Sequence, residues 1–414
     1  MKNQNNGITK NNIRAYYFLI IVLISLNFIY NFETHGVVGM NATVYAFSYS
    51  YGFMSRGLMG TILNAICSIF GDKFYCNSTL VMLSMLAWIL LIVVFILLIS
   101  VVVRKSNYDY RVMAFALCFI PMVCNMFLPP ANFGRTDIFM LIISIVACLI
   151  VYFDRAVFLC IPLAALGMMV HQGYIFMFFN IVVAILICRL MNIDGKSKHT
   201  RKYYISILVL TCICVAGLFI WFEMLSHKVL DFSISEYNEI YSKAEQLSTG
   251  GTVTMDTVIR HEVLGEETMS LEYEAIVKNA IELIILAVLS LPVLRQAYLL
   301  VKDILKETKQ KKLCMVLLCG SLSMLPEYIL KCDYGRWVFA TVTYFVMLSL
   351  FLMAFNAKVF VDAYRRLYDR LAASWLGMYV VLYFMVLLPF GSVSATRVGE
   401  RIIKYLFIFI DKIF

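Results

Sequence analysis

Charge is scarce in this chain, at 15% of 414 residues, and so are histidine, with five, and proline, with seven. A soluble domain carries roughly 25% charged residues, so the shortage excludes an ordinary soluble fold, and the 62% hydrophobic content agrees. The few histidines never form an H-x-x-H or H-E-x-x-H spacing, and Arg260-His261-Glu262 lacks the second histidine of a zincin. No spacing calls for a metal, and none calls for a cofactor. The twelve cysteines are scattered, mostly in apolar stretches, without a zinc-ligand pattern; they read as small core residues, with a Cys76–Cys332 pairing left open. No glycine- or serine-rich linker, charge block or internal repeat divides the chain, so residues 1–414 read as one transmembrane domain.

What is present in abundance is long apolar runs. A hydrocarbon core of about 30 Å needs roughly 17 to 25 mostly apolar residues in a helix. The sequence predicts an all-α, polytopic membrane protein of about eleven spans, at 15–32, 79–103, 112–128, 138–153, 156–170, 173–191, 203–224, 276–301, 313–330, 337–355 and 373–390. The first reads as an uncleaved helix, because no small-residue cleavage site follows it at Phe32-Glu33-Thr34-His35. Leu58 to Phe70 is apolar but too short to cross and predicts a re-entrant or interfacial helix after the first span.

Lys and Arg gather in cytoplasmic loops. The clusters Arg104-Lys105, Lys196 to Lys202, Lys302 to Lys312 and Arg365-Arg366 all fall on one side if the N-terminus is cytoplasmic. The net charge of +9 then needs no nucleic acid, only anionic lipid headgroups. The same threading puts an acidic loop at about 225–275 outside, with helix-like pieces at Ser233 to Gln246 and Thr257 to Leu264 around Ser248-Thr249-Gly250-Gly251.

Five polar patches fall on that outer side: Tyr49 to Gly57 (YSYGFMSRG), Gly134 to Asp137 (GRTD), His171 to Gly173 (HQG), the acidic loop, and Asp333 to Trp337 (DYGRW). Charged groups at a helix mouth in a membrane are costly, and several on one face suggest a site. Arg56, Arg135 and Arg336 each lie beside glycine; a guanidinium fork suits phosphate oxygens, and three would hold a diphosphate. Against this, Arg135 has Asp137 beside it and Arg336 has Asp333, so each arginine also reads as a local ion pair or a side chain reaching for headgroups. Asp333 and Asp137 are candidate general bases; for Asp137 helix capping is the competing role. His171 reads as a turn residue or as a group that takes or positions a hydroxyl, with Gln172 beside it. Tyr51 and Trp337 would stack on sugar rings, against the default of an interfacial aromatic belt. Asn41-Ala42-Thr43 and Asn77-Ser78-Thr79 match the three-residue glycosylation pattern, a weak signal.

The spaced set of SRG, GRTD, HQG and DYGRW resembles multispanning proteins of bacterial surface-polysaccharide loci, the O-antigen and capsule polymerases, and more loosely the C-type integral-membrane glycosyltransferases. The first outer loop holds only Glu33 where the C-type family offers an acidic pair, a departure that counts against an acidic-pair mechanism. The resemblance implies a bacterial inner-membrane enzyme of the cell envelope. It would transfer a sugar or oligosaccharide from a lipid-linked donor, a polyprenyl diphosphate, to a saccharide acceptor, alongside other members of a polysaccharide assembly system. The alternative is a flippase or transporter of a polar or lipid-linked substrate, which should carry mid-bilayer charges that these spans nearly lack. A scaffold subunit is a third reading; it would leave the arginines dispensable.

Overall fold

The computed structural model describes residues 14–15, 18–22, 36–129, 132–193, 195–230, 232–250, 258–260, 273–308, 311–330, 334–355 and 358–382. The regular structure among them is all helical, with no strand. In chain order the helices are α1 (Gly39–Thr43), α2 (Gly57–Phe70), α3 (Asn77–Lys105), α4 (Tyr110–Cys124), α5 (Asp137–Phe153), α6 (Cys160–Val170), α7 (Tyr174–Met177), α8 (Phe179–Leu190) and α9 (Arg201–Ile220). They continue with α10 (Ser226–Val229), α11 (Ile234–Leu247), α12 (Tyr273–Glu307), α13 (Lys311–Cys319), α14 (Leu325–Leu330), α15 (Tyr334–Ala354), α16 (Lys358–Ala372) and α17 (Trp375–Leu382).

Four helical stretches are long and apolar enough to cross a membrane: Asn77–Lys105, Tyr110–Phe127, Arg201–Leu225 and Gly335–Ala354. Shorter apolar helices accompany them at Gly57–Phe70, Asp137–Phe153, Val157–Val170, Phe179–Leu190 and Leu313–Tyr328. The surface of α3 shows why water is the wrong solvent. Met82, Leu86, Ile89, Leu90, Val93, Ile96 and Leu97 recur every three to four residues along one exposed face, while Leu80, Trp88, Leu91, Phe95 and Leu98 are buried on the other. A helix apolar on both its packed and its exposed face belongs in hydrocarbon. The apolar helices are thus those of a membrane-embedded protein.

Several expected spans are interrupted. The run 173–191 is two helices, α7 and α8, broken at Phe178, whose φ of −132° departs from the helix. Its carbonyl accepts from Ile181 N at 3.3 Å and from the Ser144 hydroxyl at 3.2 Å. The run 313–330 is α13 and α14 joined by a 3-10 segment, Gly320–Met324. The run 203–224 is α9 followed by a π-helical turn, Trp221–Leu225, a geometry frequent at functional sites. Most of 15–32, part of 373–390, Glu33, Cys332 and Asp333 lie outside the described residues.

The chain clusters into two compact units. One takes residues 33–95 and 127–272. Within it α5 and α6 form an antiparallel hairpin, α8 packs on α5, and α9 packs on α6 and α8. The hairpin turns at Asp154, left-handed at φ 55°. Arg189 closes that end: its Nε donates to Val151 O at 3.0 Å and its Nη2 to Tyr152 O. A cation on the last carbonyls of a helix also opposes the helix dipole.

The other unit takes residues 1–32, 96–126 and 273–414. Its organiser is α16, in a stretch read from sequence as an inner loop. Val361, Ala363, Tyr364, Leu367, Tyr368 and Leu371 form its buried stripe, set against α4, α12 and α15. Its polar edge is a lattice of ion pairs. Arg365 meets Asp109 at 2.7 Å, Asp369 meets Arg111 at 3.0 Å, and Arg370 meets Asp303 at 2.8 Å. Asp109 is also the N-cap of α4, accepting from Arg111 N at 2.9 Å.

Candidate functional site

Three of the motifs lie in the unit made of residues 33–95 and 127–272, and the backbone explains how they are held. Gly60 of α2 sits where a Cβ would come within 1.8 Å of Phe47 O and 2.7 Å of Tyr45 O, so α2 rests directly on the 45–47 backbone. No other residue fits there. Tyr49 N donates to Thr61 Oγ1 at 2.8 Å, tying the motif loop to the same helix. The loop ends at Arg56, the N-cap of α2, held in the left-handed region at φ 62°. An arginine in that conformation is uncommon, and such strain gathers at functional positions.

The GRTD turn is gripped from α1 and the residues after it. Asn41 Nδ2 donates to Phe133 O at 3.0 Å, and the Tyr45 hydroxyl donates to Gly134 O at 3.1 Å. Gly134 is left-handed at φ 84°, and Val37 fills the space a side chain would need. Arg135 and Asp137 are 5% and 1% exposed, and Arg135 Nε lies 3.3 Å from Asp137 Oδ2. The N-cap of α5 is Thr136 and Asp137 is its first residue, so the carboxylate is an ion-pair partner at a helix start and not the cap.

The HQG motif follows α6. His171 is extended at φ −167°, and Gly173 N donates to its Nδ1 at 2.8 Å. With Nδ1 accepting, a neutral imidazole keeps its proton on Nε2. Gln172 Oε1 accepts from the Ser55 hydroxyl, joining this motif to the Arg56 turn. His171 and Gln172 are both 8% exposed. Helix α5 has 17 residues and runs about 25 Å, and the return through Val157–Val170 brings the chain back beside its start. His171 therefore belongs to the same end of the hairpin as Asp137, opposite the Asp154 turn.

The acidic loop is packed over part of this assembly. Ser233 and Glu236 form a reciprocal capping box that starts α11, and the bonds from Ser233 hold the Glu236 carboxyl below its ordinary pKa. Ile240, Ala244 and Ile259 are fully buried against Ala46, Phe47 and Met54. Tyr51 accepts from Lys243 Nζ at 2.7 Å, and the same ammonium lies 5.1 Å from the Tyr51 ring centre. Asn77 Nδ2 donates to Leu247 O at 2.5 Å and also to Val37 O, while Thr249 N donates to Val37 O at 3.3 Å. Of the second expected helical piece, Val258 to Arg260 is helical and the remainder lies outside the described residues. The glycosylation reading of Asn41 and Asn77 gives way to a structural one, since both amides are committed to backbone carbonyls.

Arg336 and Trp337 belong to the other unit, in the first turn of α15, where they are 6% and 4% exposed. Asp333 lies outside the described residues. Among the described residues no cluster of His, Cys, Asp and Glu is arranged to hold a metal. Cys76 forms no disulfide and faces Thr79 Oγ1 at 3.6 Å. Residues that the sequence did not single out do much of the holding. Asn41 was visible only as a glycosylation match, Tyr45 as an ordinary loop residue, Ser55 only as a neighbour of Arg56 in the SRG motif, and Arg189 as one charge at the end of an apolar run. No protein-family model, no curated protein and no solved structure matches the chain.

Proposed function

We propose that the chain is a membrane-embedded glycosyltransferase of the polysaccharide-polymerase type, drawing its sugar or oligosaccharide from a polyprenyl diphosphate on the outer face of a bacterial cytoplasmic membrane. The observation that carries this reading is the burial of Arg135, Asp137, His171 and Gln172 at one end of the α5–α6 hairpin, linked through Ser55 to the strained Arg56 turn. Ionisable groups at such depth are functional by default. Arginines supply the charge that a departing diphosphate needs. Asp137 lies 3.3 Å from Arg135, an arrangement that engages its carboxylate with the guanidinium and not with a substrate hydroxyl. It serves instead to fix the guanidinium. His171, protonated on Nε2, would donate to an acceptor hydroxyl or a phosphate oxygen. Helix α11, acidic and seated on the Tyr51 loop, suits acceptor handling better than diphosphate binding.

A flippase or transporter is the second reading, favoured by the helix breaks at Phe178 and at Gly320–Met324, since interrupted helices line substrate sites in transporters. Lys substitution at Arg56 or Arg135 keeps the charge and loses the fork. In a host dependent on this chain, each variant should accumulate at a normal level in the membrane yet make at least about tenfold less surface polymer. Lipid-linked units should build up on the outer leaflet. Build-up on the cytoplasmic leaflet supports transport instead, and normal polymer from both variants ends the enzyme reading.

A further inference from the structure

The Asp154 end of the α5–α6 hairpin, opposite the candidate site, gathers bases that the fold leaves without partners. Arg155 belongs to the turn itself, between Asp154 and Ala156, both left-handed at φ 55° and 50°. Asp154 draws the next segment onto that turn: its carboxylate accepts from Lys198 N at 2.6 Å and from the Tyr204 hydroxyl at 2.5 Å. Lys198 and the first turn of α9, with Arg201 and Lys202, are thereby fixed beside Arg155. All four basic side chains are exposed, and none makes a hydrogen bond or ion pair with the described residues. The described carboxylate among them, Asp154, is 3% exposed and has both oxygens engaged; Asp194 lies outside the described residues. Arg201 and Lys202 also stand at the positive end of the α9 dipole with no acid beside them, a placement that costs stability unless an anion covers it.

The patch has a level as well as a charge. From Lys202 the exposed face of α9 continues as Ile205, Val209, Leu210 and Ile213, along a stretch, Arg201–Leu225, that is long and apolar enough to cross a membrane. Phe153 and Phe158 bracket the hairpin turn and are both over half exposed, apolar surface left bare unless acyl chains cover it. The bases thus stand at the height of the phosphates of one leaflet. A soluble acidic partner would leave the rings and the α9 face uncovered. We infer that this end of the hairpin is a docking surface for anionic phospholipid, in which Arg155, Lys198, Arg201 and Lys202 face phosphodiester groups while Phe153, Phe158 and α9 meet acyl chains. A single long basic side chain reaches headgroups anywhere on a membrane protein; here four converge with no exposed counter-charge. The inference needs neither a catalytic role for the chain nor a particular orientation in the membrane.

The test is the thermal midpoint of the purified full-length chain in neutral detergent, titrated with phosphatidylglycerol or with phosphatidylcholine. A lipid that binds the folded state raises the midpoint. Wild type should rise with phosphatidylglycerol well before phosphatidylcholine, and added salt should weaken that preference. Arg155→Gln with Lys202→Gln should need at least about tenfold more phosphatidylglycerol for the same rise, the scale of two bases at an anionic surface. Arg104→Gln with Lys105→Gln removes the same charge from the exposed end of α3 and should respond as wild type. Equal loss in both double variants would mean that net charge alone attracts the lipid, and the docking surface would fall. An unchanged response in the first variant, or no preference between the lipids in wild type, overturns it as well. Should the first variant fail to accumulate, Lys198→Gln with Arg201→Gln carries the same test, with an unchanged response again decisive against the surface.

Discussion

Gly173 N donates to His171 Nδ1 at 2.8 Å, within a turn only two residues long. The bond is local, so it forms whenever the turn does, and it settles the imidazole tautomer before any substrate arrives. Protonation of Nδ1 would set two donors against each other. In the neutral ring the proton therefore stays on Nε2.

From this follows a difference between two amide replacements. A glutamine at position 171 can place its N–H near the former Nε2, whereas an asparagine reaches only as far as Nδ1. His171→Gln should keep at least about a tenth of polymer synthesis, and His171→Asn should lose on the order of a hundredfold, the scale of a lost proton-handling group. Equal loss in both would return His171 to the role of base.

Gly60→Ala should be among the most damaging single substitutions in the chain. The added methyl meets the Phe47 and Tyr45 carbonyls, which are backbone and cannot swing aside. Overpacking costs about 1 to 3 kcal/mol where side chains can adjust, and here the cost should reach the upper end. The thermal midpoint of the purified protein should fall by several degrees, while Gly71→Ala, with open space around its Cβ but φ 101°, should show a smaller loss.

The ion-pair lattice on α16 gives a pH prediction. Burial raises the Asp109 pKa, but bonds from Arg111 and the charge of Arg365 outweigh it, so the carboxyl titrates below its ordinary value. A depressed folded pKa contributes stability that is complete above the unfolded value, near 4, and disappears as pH falls through the lower folded value. Asp109→Asn should therefore destabilise the protein by roughly 1 to 3 kcal/mol at neutral pH. The gap to wild type should close below about pH 4; a gap independent of pH would mean that capping alone, and not the charge, is what Asp109 supplies.

The orientation of the chain is read by Asn238→Cys, on the exposed face of α11. In intact cells this thiol should react with a membrane-impermeant reagent. Labelling only after permeabilisation would place α11, and with it the Tyr51 loop it covers, on the cytoplasmic side. Ser233→Ala, by contrast, should loosen α11 by about 1 kcal/mol through loss of the capping box and raise its proteolytic susceptibility.

Long apolar runs were legible in the sequence because each depends on neighbours within a few positions, whereas the cap expected at Asp137 falls one residue earlier, on Thr136. The Gly57–Phe70 helix and α11 appear close to their expected bounds for that reason. Interruptions were not legible: the break at Phe178 is accompanied by a bond from Ser144, 34 positions away, and the π turn at Trp221 by an indole N–H donated to Phe53 O at 2.8 Å. Helix α16 was hidden by its charges, since arginines counted as a cytoplasmic signal also complete an amphipathic stripe with Tyr364, Leu367 and Tyr368. The motifs SRG, GRTD and HQG were visible, but Asn41 and Tyr45, which hold GRTD, carry no local pattern that separates them from other polar loop residues, and the bond from Ser55 to Gln172 joins positions 117 apart.

The pairing of Asp109 with Arg365 joins residues 256 apart, and this orders events during synthesis. Domains are generally completed as units while the chain emerges at about 5 to 20 residues per second. The unit ending at residue 272 can thus be finished while Asp109 still waits, for roughly ten seconds to a minute at that rate, for its arginine to leave the ribosome. A nascent chain stalled after residue 272 should already hold its buried Arg135–Asp137 pair. At that stage the α4 end still lacks the pairs of Asp109 with Arg365 and of Arg111 with Asp369.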